Sequence, residues 1–105
     1  MIPTLIIQKA ATLLKEAARP SRIILFGSYG RGTPHEDSDL DFLVVLPQVK
    51  DRRHEMVRLR RVLRPLRIPA DVLVVSEAIF NEWAGTPGNV LFEVAQDGRV
   101  LYEAA

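Results

Sequence analysis

Two carboxylates separated by one residue are the part of this sequence with the clearest capacity for chemistry. Asp39 and Asp41 stand at the start of the apolar run Phe42 to Val45. Side chains i and i+2 of a β-strand point to the same face, so both carboxylates would face one way, roughly 7 Å apart. Two like charges so close are unfavourable unless a cation joins them, and carboxylate oxygens suit Mg²⁺. The spacing therefore predicts a divalent-metal site.

A third carboxylate, Asp71, opens another apolar run, Val72 to Val75. If a helix joins the two strands, they run parallel, and Asp71 lies at the same end of the sheet as Asp39 and Asp41. Three converging carboxylates can hold two metal ions roughly 4 Å apart, the arrangement used for in-line phosphoryl or nucleotidyl displacement. Asp71 is also a candidate to assist deprotonation of the acceptor. The alternative is that all three are strand-entry residues or caps.

A glycine-rich turn, GSYGRG, precedes the carboxylates and could hold phosphate. Gly27 follows an apolar run directly, and without a side chain it lets a ligand approach the backbone closely. Ser28 offers a hydroxyl and a backbone N–H at a predicted helix N-terminus, and Arg31 can pair with phosphate oxygens. The spacing matches neither the dinucleotide pattern GxGxxG nor a P-loop. By itself such a turn is more typical of a tight connection between strands.

The surrounding pattern predicts the elements that position these residues. Two long amphipathic helices are expected over residues 3–18 and 50–68, the second kinked or ended by Pro65. We expect strands over 21–26, 39–46, 70–75 and, at an edge, 99–102, with a short helix after the glycine turn and further helices over 76–84 and 89–96. The second and third strands should be parallel and the first two antiparallel. This is an α/β fold, a small mixed sheet with helices packed on it.

Size and composition narrow the class of protein. With 105 residues, 48% of them hydrophobic, a single domain spanning residues 1–105 is expected. There is no cysteine, which excludes disulfides and thiolate metal sites. No apolar run approaches the roughly 18 residues of a membrane span, and the N-terminus does not resemble a secretory signal. We therefore expect a cytoplasmic protein that does not bind membranes.

Together the glycine turn and the carboxylates resemble a known family. Gly27-Ser28, ten residues, then Asp39-Leu40-Asp41 is similar to the GS…DxD signature of the polymerase-β-type nucleotidyltransferase superfamily. The fuller run, LFGSYGRG…SDLDFLVV, resembles the minimal nucleotidyltransferase (MNT) family over about residues 3 to 104. That family usually shows GSxARG, and Gly30 stands here where alanine is common, a small-for-small change.

The resemblance implies a function and a role for each motif residue. It implies transfer of a nucleoside monophosphate from an NTP, expected to be ATP, to a hydroxyl acceptor, with two Mg²⁺ ions. The residues matching Gly27 and Ser28 hold the triphosphate, those matching Asp39 and Asp41 bind Mg²⁺, and Asp71 matches the third acid in position. The implied partner is a HEPN-domain protein, with this chain as its antitoxin and AMP placed on a tyrosine of the partner.

Two other functions stay open on the sequence. One is a non-catalytic module that neutralises a partner by contact, and the other is a transferase acting on a small molecule. The arginine-rich helix over residues 50–68 predicts an acidic partner or a solvated face, and the absence of interleaved aromatic residues argues against nucleic acid. The acceptor should come from a partner or a second copy of the chain. Tyr29 could stack on a base or pack locally, and Trp83 could lie in the core or an interface.

Overall fold

The computed structural model describes residues 1–105, folded as a four-stranded sheet in the order β3-β2-β1-β4 with helices on both faces. The elements are α1 (Thr4–Ala18), β1 (Arg22–Phe26), α2 (Gly27–Arg31), β2 (Leu40–Leu46), α3 (Arg52–Val62), β3 (Ala70–Ser76), α4 (Glu77–Trp83), α5 (Val90–Asp97) and β4 (Arg99–Glu103). A short 3-10 helix spans Arg64–Leu66. No helix is long and apolar enough to cross a membrane.

The sheet is mixed, as the sequence predicted. β1 is antiparallel to β2 and β4, whereas β2 is parallel to β3 across the α3 connection. In the register, Asp41 lies opposite Phe26 on one side and opposite Asp71 on the other. The end of β1 and the starts of β2 and β3 therefore meet at one edge of the sheet, and the predicted fold class is confirmed.

β2 is buried on both faces, which explains its unbroken apolar run. Phe42 and Val44 belong to the larger core, which α1 and α3 cover on one face. Leu43 and Val45 belong to a second core, shared with Phe80 of α4 and with residues of α5. A strand held by packing on both faces and by strands on both sides is a fixed support for the carboxylate at its start.

α3 is shorter than predicted, because it ends at Val62 and not near residue 68. Pro65 lacks a backbone N–H and its ring clashes with the preceding turn, so the chain tightens into the 3-10 helix Arg64–Leu66. Arg67 then adopts φ +52° and turns the chain toward β3. The prediction that Pro65 ends the helix is confirmed.

The two outer strands of the sheet show local irregularities. In β3, the carbonyl of Val74 accepts a hydrogen bond from Nε of Arg52 at 2.7 Å. In β4, the pairing with β1 shifts register opposite Ile23 and Ile24. Two apolar residues of the helices are also more exposed than their patterns suggested, Leu5 at 61% and Trp83 at 44%.

Candidate active site

Gly27 and Asp41 form the centre of the site. Gly27 begins α2 directly after β1, with φ +68°, a conformation that residues with side chains rarely adopt. A Cβ atom on Gly27 would stand 2.3 Å from Oδ2 of Asp41. Only glycine satisfies both conditions, so the turn after β1 and the carboxylate on β2 are in direct contact.

The carboxylate of Asp41 lies in a negative environment. Burial raises its pKa above the ordinary value of 3.8, and the charges of Asp71 and Asp39 raise that pKa further. Arg31 acts in the opposite direction and lowers the pKa of Asp41. The four charged residues predicted from the sequence are therefore close enough to influence one another, although they come from three separate segments of the chain.

Asp71 is held by a residue that the sequence did not single out. The guanidinium Nη2 of Arg60, on α3, donates to Oδ1 of Asp71, and the N–H of Val72 donates to the same oxygen at 3.1 Å. The side chains of Arg60 and Asp71 are both about half-exposed. No group of three carboxylate, histidine or cysteine side chains is arranged to hold a metal ion, and Asp71 is paired with Arg60.

Arg60 was missed because the sequence offered seven arginines on or near one helix with no means of ranking them. The available indication was topological. Arg60 lies in the last turns of the helix that leads to β3, and Asp71 is the second residue of that strand. In a βαβ unit, the end of the helix and the start of the following strand are neighbours, which brings these two residues together.

Asp39 lies immediately before β2, because the strand begins at Leu40, one residue later than predicted. A closed turn precedes it, in which the N–H of His35 donates to Oγ of Ser38 at 3.0 Å and the N–H of Ser38 donates to the carbonyl of His35 at 2.9 Å. Ser38 and Leu40 on either side of Asp39 are buried, whereas Asp39 is exposed. This arrangement presents the Asp39 carboxylate to solvent beside Asp41.

The remaining predicted residues lie on α2. The hydroxyl of Ser28 makes no hydrogen bond within the chain, and Arg31 is exposed without an ion-pair partner. Tyr29 is buried and its hydroxyl accepts a hydrogen bond from the N–H of Ile2 at 2.9 Å, so it packs locally and does not stack on a base. Ser28 and Arg31 are thus free to bind an anionic group, and Tyr29 anchors the helix that carries them.

The donor set fits a hard divalent cation. Asp39 and Asp41 supply carboxylate oxygens, the ligand type that Mg²⁺ prefers, and leave room for water and substrate phosphate. The raised pKa of Asp41 shows that its charge is incompletely compensated within the chain. A bound cation would relieve that repulsion.

Comparison with known proteins agrees with this chemistry. The family model described as the nucleotidyltransferase domain matches residues 7–97. A curated protein of Methanocaldococcus jannaschii, named "Putative protein adenylyltransferase MJ0604", is 36% identical over 91 residues, which are 84% of this chain and 84% of that protein.

Two solved structures share the fold. A toxin–antitoxin with AMP-PNP superposes with a TM-score of 0.65 at 22% identity, covering 92% of this chain and 73% of the other. The complex of a tri-AMPylated Shewanella oneidensis HEPN toxin with an MNT antitoxin gives a TM-score of 0.63 at 21% identity, covering 95% of this chain and 71% of the other. The resemblance predicted from the sequence motifs is confirmed. The chain is a nucleotidyltransferase and belongs to the nucleotidyltransferase domain family.

Proposed function

We propose that this nucleotidyltransferase transfers AMP from ATP to a hydroxyl group of a partner protein in a Mg²⁺-dependent reaction, and that it acts as the antitoxin of a HEPN-domain toxin. The observation that carries the proposal is the contact of Gly27 with Asp41, with Asp71 beside Asp41 in the sheet register. It joins the predicted phosphate turn to two of the three carboxylates at one edge of the sheet. The acceptor oxygen bonds to the α-phosphorus, the bond to the β-phosphate oxygen breaks, and pyrophosphate leaves.

Each residue of the site has a part in this transfer. Gly27 lets the triphosphate approach the backbone, while Ser28 and Arg31 bind its oxygens. Asp39, Asp41 and Asp71 would hold the Mg²⁺ ions, which when bound would stabilise the charge of the triphosphate and lower the pKa of the acceptor hydroxyl. Asp71 accepts the proton of that hydroxyl once it is released from Arg60.

The nature of the acceptor is supported by the relatives. The Methanocaldococcus jannaschii relative is named for adenylyl transfer to protein. The MNT antitoxin of similar fold was solved in complex with a HEPN toxin that carries AMP groups. These relatives favour a HEPN-domain protein as the acceptor, and the tyrosine hydroxyl is the acceptor group that the family resemblance implies.

The test compares the wild-type chain with the double variant Asp39→Asn/Asp41→Asn, using labelled ATP, Mg²⁺ and a HEPN-domain protein as the acceptor. We expect the double variant to lose transfer by about 100-fold or more, since two of the three predicted metal ligands lose their charge. Asp37→Asn is the matched control, because Asp37 is exposed in the preceding turn and should keep transfer. Retained transfer by the double variant would contradict the proposal.

A second candidate function is neutralisation of the toxin by contact alone. The ion pair between Arg60 and Asp71 favours it, because it engages the third carboxylate in a structural contact. The same double variant separates the two functions. If it no longer modifies the toxin but still neutralises it fully, contact is the mechanism.

A further inference from the structure

A surface pocket of about 460 Å³ lies between the second half of α3 and the start of β3. Three guanidinium groups line it, those of Arg60, Arg61 and Arg64, and no carboxylate does. The other side chains that line the pocket are apolar, among them those of Val57 and Ala70. We refer to these residues as the arginine pocket.

The charge of the arginine pocket is largely uncompensated within the chain. Arg61 and Arg64 are exposed and form neither a hydrogen bond nor an ion pair with any other side chain. Arg60 has a single carboxylate partner, Asp71. Like charges in neighbouring positions of a helical segment repel one another, so an anionic group in the pocket would relieve a repulsion that the fold leaves in place.

The arginine pocket lies next to the active site, on a defined side of it. The strand order places Gly27, Asp41 and Asp71 in sequence along one edge of the sheet. The pocket continues this row, because Ala70 in its wall precedes Asp71 and Arg60 binds Asp71. Gly27 and the pocket are therefore on opposite sides of the carboxylates.

We propose that the arginine pocket docks an acidic segment of the acceptor protein and so brings the acceptor hydroxyl to Asp71. This inference rests on the proposed transfer to a protein, and it names the charge of the segment that is recognised. Guanidinium groups pair with carboxylates through two parallel hydrogen bonds, and the aliphatic walls accommodate the hydrocarbon parts of side chains. A protein segment fits better than a nucleic acid, since no aromatic side chain lines the pocket to stack on bases.

Docking would also change the state of Asp71. An acidic side chain that binds Arg60 competes with Asp71 for the same guanidinium. The exposed pair between Arg60 and Asp71 is weak enough to be exchanged. The arrival of the acceptor would thus free the carboxylate that is proposed to take its proton.

The test uses two short fluorescent peptides, each with one tyrosine, flanked by glutamates in one and by glutamines in the other. Their affinities are measured by anisotropy without nucleotide, for the wild-type chain and for Arg61→Glu/Arg64→Glu. The control variant is Lys9→Glu/Lys50→Glu, which changes the charge by the same amount. Both lysines are exposed, lie outside the arginine pocket and form no ion pair. We expect the glutamate peptide to bind the wild type about tenfold more tightly than the glutamine peptide, and the arginine variant alone to lose this preference.

Equal affinities for the two peptides, or an unchanged preference in the arginine variant, would overturn the proposal. A single-stranded oligouridylate is titrated in parallel. If it binds more tightly than the glutamate peptide and needs the same arginines, the pocket binds RNA and the proposal is overturned as well. Binding of ATP and transfer to the HEPN protein are measured separately on each variant. If the wild-type chain neither binds ATP nor modifies the HEPN protein, the proposed function is contradicted. The peptide affinities still decide whether the arginine pocket prefers acidic segments.

Discussion

The Cα atom of Gly27 faces the carboxylate of Asp41 so closely that a Cβ atom would lie 2.3 Å from Oδ2. The turn predicted to hold phosphate and the carboxylate predicted to hold metal thus form one packed unit. The two motifs, which are separate in sequence, depend on one another in the folded protein.

Substitution of Gly27 by alanine should therefore abolish transfer. Gly32 provides the matched control, because it also has a positive φ, +76°, but a Cβ there would meet nothing within 4 Å. Both variants should lose about 1–2 kcal/mol of unfolding free energy from backbone strain. Only Gly27→Ala should lose activity by about 100-fold or more, since it also displaces the carboxylate of Asp41. Denaturant titration and a transfer assay measure the two effects, and an active Gly27→Ala would refute this account.

Replacing Asp41 by asparagine should make the metal-free protein more stable at neutral pH. Burial and two nearby negative charges raise the pKa of Asp41, so its ionised form is disfavoured in the folded state. At pH values between the ordinary pKa of 3.8 and the raised pKa, Asp41 is ionised in the unfolded chain and still protonated in the folded one. Unfolding then releases a proton, so the stability of the wild type falls as pH increases. We expect Asp41→Asn to melt a few degrees higher at pH 7, with the gain disappearing below pH 3.8. If the melting temperature of Asp41→Asn stays higher than that of the wild type below pH 3.8, the added stability does not come from the ionisation of Asp41.

Removing the guanidinium of Arg60 should lower the Mg²⁺ requirement of transfer. Arg60 competes with any cation for Asp71, and both side chains are about half-exposed. An exposed ion pair contributes about 0.2–1 kcal/mol, so Arg60→Met should reduce the half-saturating Mg²⁺ concentration by up to about fivefold. Arg53→Met, at an exposed residue of the same helix without a partner, should leave it unchanged. An increase in the Mg²⁺ requirement of Arg60→Met would mean that Arg60 positions Asp71 and does not compete for it.

Alanine at position 30 should destabilise this chain, contrary to the view of Gly30 as a neutral small-for-small change. A Cβ there would stand 2.5 Å from the carbonyl oxygen of Leu25 in the central strand β1. Because strand backbone cannot readily move, we expect a loss of about 1–3 kcal/mol, larger than the gain in helix propensity. Gly85→Ala, where nothing lies within 4 Å, should be close to neutral. Chemical denaturation compares the two, and equal stabilities would show that β1 adjusts.

The sequence predicted most of the fold because its elements were marked by strong local patterns. The apolar run of β2, the helix predicted over residues 76–84 and the break at Pro65 each correspond to an observed feature. The positions of Asp41 and Asp71 followed from one inference, that α3 joins parallel strands. What could not be predicted depends on atomic contacts between distant segments. The pairing of Arg60 with Asp71 and the fit of Gly30 against Leu25 are set by helix phase and backbone approach, which periodicity does not determine.

The irregular outer strands bear on how this protein meets others. Edge strands normally invite a further strand, and with it fibrous aggregation or dimers that extend the sheet. Here the Val74 carbonyl of β3 is already bonded to Arg52, and the shifted register of β4 interrupts a flat row of backbone groups. Both features act against extension of the sheet, and so favour partners that recognise side chains, which differ between proteins, over partners that pair with the backbone.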